Sequence, residues 1–408
     1  MGEPGGSGES GSGQAIEARL LHSLRLVDRD QWNALSGVDY PFLRHEFLSA
    51  LESSGCTTAE SGWQPCHVTL YRDGKLIALM PLYMKSHSYG EYVFDWSWAD
   101  AWRRHGREYY PKLVTAVPFT PATGPRLCIA PGEDVRATTT ALFAAVQQLA
   151  EDQSLSSWHV LFPTDEEAAQ LESLGASTRT GSQFHWFNQD YGDFDDFLAA
   201  FNSRKRKSLK RERRRVAEQG IVLDTLQGDA ISEADWHQFF EFYQMTYAKR
   251  SGHGGYLNRD FFLEIGQTLP EHCVMVMARM DDKPVAGSLC FRSDDTLFGR
   301  YWGCYRELDC LHFEACYYQG IEYCIREGLQ RFDPGAQGEH KIQRGFTPIQ
   351  TCSSHWIADP AFAQAIDDFT RRESEHTDAY IERAADFLPF RQGERPQGDS
   401  PDPGSAGD

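Results

Sequence analysis

Several things this chain lacks narrow its chemistry before anything present is considered. Its ten cysteines form no Cys-x-x-Cys pair and no zinc-finger spacing, so nothing in the sequence points to a metal. Cys290 and Cys324 fall inside apolar runs, which suits reduced thiols packed as small hydrophobes. No apolar run approaches the ~18 residues of a membrane span, and no charged-then-apolar leader is present. The expectation is a soluble, cytoplasmic protein without a transmembrane segment. Positive charge is also scarce: 40 Lys+Arg stand against 59 Asp+Glu, a formal net charge of −19. The surface as a whole should repel nucleic acid and anionic membranes.

The 408 residues are long enough for more than one core. Residues 1–13 and 392–408 are poor in core-forming residues and read as disordered tails. Between them, one unit is written twice. HVTLYR-DGK-LIALMPLY resembles VMVMARM-DDK-PVAGSLCF, with Lys75 and Lys283 as equivalents 208 positions apart. Asp73-Gly74 and Asp281-Asp282 supply the hairpin turns. Each hairpin is followed by a helix and a short strand, and setting His159 against Arg331 lowers the offset to 172. The first copy therefore carries about 36 extra residues, assigned to an aromatic-rich insertion at about 85–126. Within it Tyr92, Phe94, Trp96 and Trp98 alternate, which predicts a strand with one aromatic face. The expected division is 14–189 and 190–391, two α/β units with mixed sheets and a cleft between them.

The richest chemistry follows the second hairpin. Glu314 to about Glu327 has helical spacing, with Glu314 expected in the first turn and Gly328 as the stop. Leu329–Phe332 reads as a buried strand, and it empties into a loop holding Gly335, Gly338, Glu339, His340, Lys341 and Arg344. Ligand sites in α/β sheets favour the carboxyl ends of strands. Acyl transfer to an amine needs a neutral nucleophile, a polarised carbonyl and an acid for the leaving group. Glu314 and His312 are candidates to accept the amine proton, Tyr301 to protonate the leaving group, and His340 joins them as a catalytic candidate. Glu339, Lys341, Arg344 and Arg300 are candidates for binding anionic substrate groups. In the insertion, His87, Glu91 and Asp95 are candidates for orienting an acceptor. The two polar sets are expected to face one cavity from opposite units.

Arg204–Arg215 holds nine cations and one acid, Glu212, on a helix opening the second unit. Phe197, Phe201, Leu209 and Val216 fall near one face, so the charges should face outward. So one-sided a face favours an anionic partner. Arg206, Lys210 and Arg213 are its candidates for holding a phosphate-bearing donor.

The order of meander, loop, helix and short strand resembles the acyl-CoA N-acyltransferase (GNAT) fold. Two copies, the second opening with a basic helix, resemble the Fem-like aminoacyltransferases. KSHSYGEYVFDWSWA (85–99), VPFTPATGPR (117–126), GRYWG (299–303), LHFEACYYQGI (311–321) and GAQGEHKIQRGF (335–346) are similar to a bacterial family of predicted N-acyltransferases labelled peptidoglycan biosynthesis or recognition. The resemblance spans about residues 20–390. It implies an acyl-CoA donor, or aminoacyl-tRNA as in the Fem-like enzymes, and a small-molecule or cell-wall precursor acceptor. One departure stands out. Where a GNAT carries a Gly-rich loop before the central helix, this chain reads Arg306-Glu307-Leu308-Asp309-Cys310, without glycine. The dense acid, imidazole and tyrosine content supports an N-acyltransferase. The missing glycine loop supports the alternative, a non-catalytic module binding an anionic polymer or RNA.

Overall fold

The structure is a computed structural model that describes residues 15–391, except 253 and 337, together with residue 394. The two predicted tails otherwise lie outside the described residues. The repeat is confirmed at the level of register. Arg72 faces Lys75, Tyr71 faces Leu76 and Leu70 faces Ala78 in the first hairpin. The second pairs Met280 with Lys283, Arg279 with Pro284 and Ala278 with Ala286, each partner 208 residues on. Both hairpins therefore bulge at the same place, Ile77 and Val285. The bulge carbonyls accept from Ala130 N (2.8 Å) and Tyr305 N (3.1 Å) in turn. The turns match as well: Asp73 and Gly74, like Asp281 and Asp282, all have positive φ, the geometry of the tight hairpin turn whose twist fits the strands.

The units are tandem GNAT-like α/β folds, and they are interlocked. Strand Ser177–Phe187 ends the first unit, yet it pairs with Arg331–Asp333 of the second. Strand Thr347–Ile357 ends the second unit, yet it pairs with Ser157–Leu161 of the first. The exchanged strands also pair with each other, Thr347 opposite His185 through His355 opposite Ser177. One eleven-stranded sheet results, in the order 221–227, 273–280, 283–292, 296–304, 331–333, 177–187, 347–357, 157–161, 112–115, 83–85, 63–65. Residues 16–21, 67–72, 75–80 and 128–129 make a separate four-stranded sheet. The two copies therefore share one sheet and are not separate bodies.

A core spans both units. Phe42 packs edge-on against Phe291 (5.4 Å) and Phe298 (5.1 Å), and Phe47 against Phe261 (5.6 Å). Such pairs contribute about 0.5–1.5 kcal/mol each beyond their area, so they bind the halves together.

Two expectations need correction. The aromatic stretch is not a strand, because positive φ at Gly90 and Tyr92 turns the chain. Trp96–Arg104 is instead a helix, with Trp98 and Trp102 one turn apart and buried. Nor is the extra length one insertion. Lys112–Thr115, inside the proposed span, is a sheet strand pairing in parallel with 157–161. The additional residues divide between the connections 86–111 and 116–134, which answer 293–295 and 305–310.

The central helix runs from Leu311 to Glu327, three residues earlier than the spacing predicts. A π-helical turn at Glu314–Tyr318 interrupts it, so Glu314 lies beyond the first turn. No described helix is long and apolar enough to cross a membrane.

Candidate functional site

Strands Thr296–Cys304 and Arg331–Asp333 run parallel for only three pairs, ending at Phe298 opposite Asp333. Beyond that point they diverge, and among the described residues the edge of Gly299–Trp302 facing the gap has no strand partner. A register shift between Leu289 and Cys290 leaves Arg300 unpaired opposite the meander, and such a bulge re-aims its side chain. A cavity of about 220 Å³ fills the fork, lined among others by Arg300, Tyr301, His312, Tyr317 and Lys341.

Asp333 organises this cavity from beneath. It is almost fully buried and pairs with Arg300. The Gly335 N–H donates to its Oδ1 at 2.8 Å, and His185 Nε2, on the strand contributed by the first unit, lies 3.7 Å away. Burial pushes this carboxyl up, but Arg300, His185 and the Gly335 amide outweigh it and hold it below the usual carboxylate range. Lys341 is 1% exposed and donates to the Gly335 carbonyl. Burial pulls its ammonium down, Asp333 offsets part of that, and the result is about 8. Burial also lowers His312, with His340 and Arg250 adding to the effect, to about 4. His312 is therefore neutral at physiological pH, beside Trp302 (ring centroids 5.4 Å) and Tyr317 (5.4 Å).

The fork opens into a larger cavity of about 430 Å³ between the units. Arg300, Tyr301, Trp302 and His312 wall one side, and Tyr89, Tyr92, Phe94 and Trp96 of the first unit face them. The insertion's aromatics thus meet the second unit's candidate site across the cleft. A further cavity of about 260 Å³, with Arg250 and Leu311–Phe313 in its lining, continues past the start of the central helix.

The expected residues scatter more than their spacing implies. Tyr301 lines both main cavities, but it is buried against Tyr243 and Phe262, and burial raises its hydroxyl far from physiological pH. Glu314 is absent from their lining. Its carboxylate faces the basic helix, accepting from Arg213 (2.9 Å) and Gln319 (2.9 Å). Glu339 is exposed and accepts from Tyr380 OH at 2.8 Å. His340 is exposed and does not line the cavity, but its Nε2 lies 2.8 Å from the Tyr317 hydroxyl and its ring 6.2 Å from that of His312. Arg344 is engaged by Glu212 (3.0 Å), by the His340 carbonyl (2.9 Å) and by the Phe313 ring 3.4 Å beneath it. The expectation that Glu314, Glu339, His340 and Lys341 share one pocket therefore holds for Lys341 alone.

In the first unit, Glu91 and Asp95 do not reach the cleft. Both are buried around Lys112, which donates to Glu91 (2.8 Å), Ser88 (2.9 Å) and Asp95. Tyr109 donates to Asp95 at 2.6 Å, and beyond it His159 and His355 meet at 2.6 Å, both held neutral by burial. The network is buried but not fully satisfied, since Glu91 Oε1 and Asp95 Oδ1 have no hydrogen-bond partner among the described residues. His87 packs beside Gly62 and Tyr89, and its Nδ1 accepts from the Tyr89 N–H at 3.2 Å. None of the three lines a described cavity.

The basic helix, Ser203–Glu218, buries Leu209 and Val216 as its pattern requires. Its cations are of two kinds. Arg213 reaches inward to Glu314 and Glu322 (2.7 Å), and Lys210 pairs with Asp195 (2.8 Å). This contradicts the reading of Arg213 as a free donor contact. Arg204, Arg206, Lys207 and Arg211 have no ion-pair partner among the described residues. Three of them, Arg204, Lys207 and Arg211, share the face opposite Leu209.

The family model for FemAB-like proteins, described as peptidoglycan biosynthesis/recognition, matches residues 23–392. The chain belongs to the FemAB-like family. Among solved structures, FemX superposes with a TM-score of 0.51 at 12% identity, covering 84% of this chain and 98% of that one. The C-terminal domain of a protein described as a lysylphosphatidylglycerol synthetase, from Agrobacterium fabrum, gives 0.50 at 10% identity, covering 85% and 97%. A tandem GNAT protein from the clavulanic acid pathway gives 0.46 at 11%, covering 85% and 99%. At these identities the likeness is one of fold. No curated protein matches the chain. Among the described residues of this FemAB-like chain, no cluster of three or more His, Cys, Asp or Glu is arranged to hold a metal.

Asp333 and His185 are the functional candidates the sequence reading missed. Asp333 was visible as an acid ending a buried strand before Pro334-Gly335. His185 was not, because it reaches the site only through strand exchange.

Proposed function

We propose that this FemAB-like protein transfers an acyl or aminoacyl group from an activated donor to an amine acceptor of cell-wall biosynthesis. The observation that carries this is the forked pair of strands with the buried Arg300–Asp333–Lys341 set at its apex. An acyl-CoA donor lying along Gly299–Trp302 pairs the amide N–H and C=O groups of its arm with that edge, as an added strand does, whereas alanyl-tRNA, an ester without an amide, offers only its carbonyl. The donor carbonyl then faces Lys341. An ammonium titrating near 8 suits both stabilising a developing oxyanion and protonating a leaving group. His312, neutral beside the same cavity, has a free-base ring to accept the amine proton as the new C–N bond forms. The acceptor enters from the aromatic side of the cleft. Glu314, bridged to Arg213, holds the central helix to the basic helix.

The test supplies the purified protein with a soluble peptidoglycan precursor. Acetyl-CoA and alanyl-tRNA serve as alternative labelled donors, with and without RNase. Acylated precursor with one donor is expected, and RNase sensitivity tells which. Tight precursor binding with no product from either donor would favour a recognition module instead.

A further inference from the structure

The transfer chemistry leaves Tyr317 and His340 without a part, yet together they join the fork to the outside of the molecule. Tyr317 is buried on the π-helical turn and lines the fork with His312. Such turns are frequent at functional sites. The Tyr317 hydroxyl lies 2.8 Å from Nε2 of His340, which is exposed. On the inner side, the His312 ring meets Tyr317 edge-on at 5.4 Å and lies 6.2 Å from the His340 ring. Three groups able to carry a proton thus follow one another from the fork to solvent.

The place of His340 is built rather than incidental. Its ring lies over the backbone of Gly338, where a Cβ would come within 2.4 Å of Cε1, and Gly338 holds φ 116°. Another residue there would be strained and would push the ring off Tyr317. Arg344 donates to the His340 carbonyl at 2.9 Å and is itself held by Glu212 at 3.0 Å. Phe313 packs behind, 5.6 Å from the His340 ring and stacked on Tyr317 at 6.2 Å. These contacts on an exposed histidine fix the direction of its Nε2. Burial, then Arg344 and Lys341, keep the imidazole below its ordinary value, so the ring is neutral at physiological pH. In the tautomer protonated on Nδ1, its Nε2 accepts from the Tyr317 hydroxyl.

We infer that Tyr317 and His340 form a relay that draws the amine's proton away from His312 as the new C–N bond forms. The inference rests on the transfer reading and says where the proton of that reaction goes. Burial makes His312 a weak base, so a proton resting on it is costly, whereas an imidazolium at exposed His340 keeps its hydration. In the step, the acyl carbon gains the amine nitrogen and loses its leaving atom, which takes a proton from Lys341. The amine's proton passes to His312. His312 gives a proton, through one bridging water, to the Tyr317 oxygen as Tyr317 hands its own hydroxyl proton to His340 Nε2. Tyr317 gains one proton as it loses one, so no charge rests on a hydroxyl that burial keeps protonated. His340 then releases a proton to solvent and Lys341 regains one.

The test measures single-turnover transfer by the full chain to the soluble peptidoglycan precursor, with whichever of acetyl-CoA and alanyl-tRNA forms product. His340→Gln keeps a hydrogen-bonding group opposite Tyr317 but cannot take a proton, and Tyr317→Phe removes the hydroxyl alone. Each should lower the rate by about 10²-fold while precursor affinity and melting temperature hold. His340→Ala should fall as far, and free imidazole should restore much of its rate. Imidazole should leave the unaltered protein and Tyr317→Phe unchanged, the one having no vacancy and the other no hydroxyl. A merely structural role for His340 predicts full activity in His340→Gln and no rescue of His340→Ala, and either result would overturn the relay. An unaltered protein that forms no product sinks the transfer reading and the relay with it. Product formed at the original rate by Tyr317→Phe sinks the relay alone.

Discussion

Glu314 and Lys341 are both almost fully buried, yet their charges are engaged differently. Glu314 faces Arg213 across 2.9 Å, and Arg213 also grips Glu322 and lies over the Phe194 ring. Among the described residues Lys341 has only the Gly335 carbonyl as a direct partner, with Asp333 nearby, so its proton remains labile near neutrality. Removing one partner of a buried pair leaves the other unpaired in a poor solvent. Arg213→Ala should therefore destabilise the fold by roughly 2–4 kcal/mol, the guanidinium being partly exposed. Arg206→Ala should stay within about 0.5 kcal/mol. Urea denaturation separates them, and equal midpoints would show that the Glu314 bridge is dispensable. From sequence alone the two residues look alike, a charge beside a helix and a charge in a loop. Their difference lies in contacts some 100 residues away, which spacing does not encode.

Among elements, the hairpins were the most legible, because Asp-Gly and Asp-Asp turns, alternation and a shared lysine all act within 20 residues. Even the common bulge follows from copying one register twice. The segment around Trp96 was the least legible. Its period-two aromatics imitate a strand, whereas burial of Trp98 and Trp102 against Tyr109 and Phe362 selects a helix. The basic helix was legible in its buried face but not in its charge pairing. Its outward stripe is Arg204, Lys207 and Arg211, so these, not Arg206, Lys210 and Arg213, are the residues to change. Replacing all three with Ala should leave the melting temperature unchanged. If a polyanion docks there, its affinity should fall and its salt dependence should become shallower by up to about three counterions. An unchanged salt slope would return the stripe to ordinary solvated surface.

At the scale of the molecule, the decisive feature is the exchange of strands 177–187 and 347–357. Repeated units were readable from the sequence; which copy each final strand would join was not, since both copies offer an equivalent edge. The exchange brings His185 to Asp333. It also means that neither half is complete. Fragments 15–189 and 190–391 made separately should lack cooperative unfolding, and made together they should reassemble into one species with a single transition. Independent cooperative transitions in each would contradict the interlocked fold. The central claim, that the fork around Lys341 is a reaction centre, is met most directly by single-turnover transfer rates of the unaltered protein and of Lys341→Met across pH. If Lys341 acts as its ammonium, the rate should hold below about pH 8 and fall above it as the proton is lost. The methionine variant should lose about 10²–10⁴ of the rate while keeping donor affinity and melting temperature. A methionine variant that transfers at the original rate, with the original pH profile, would contradict the account.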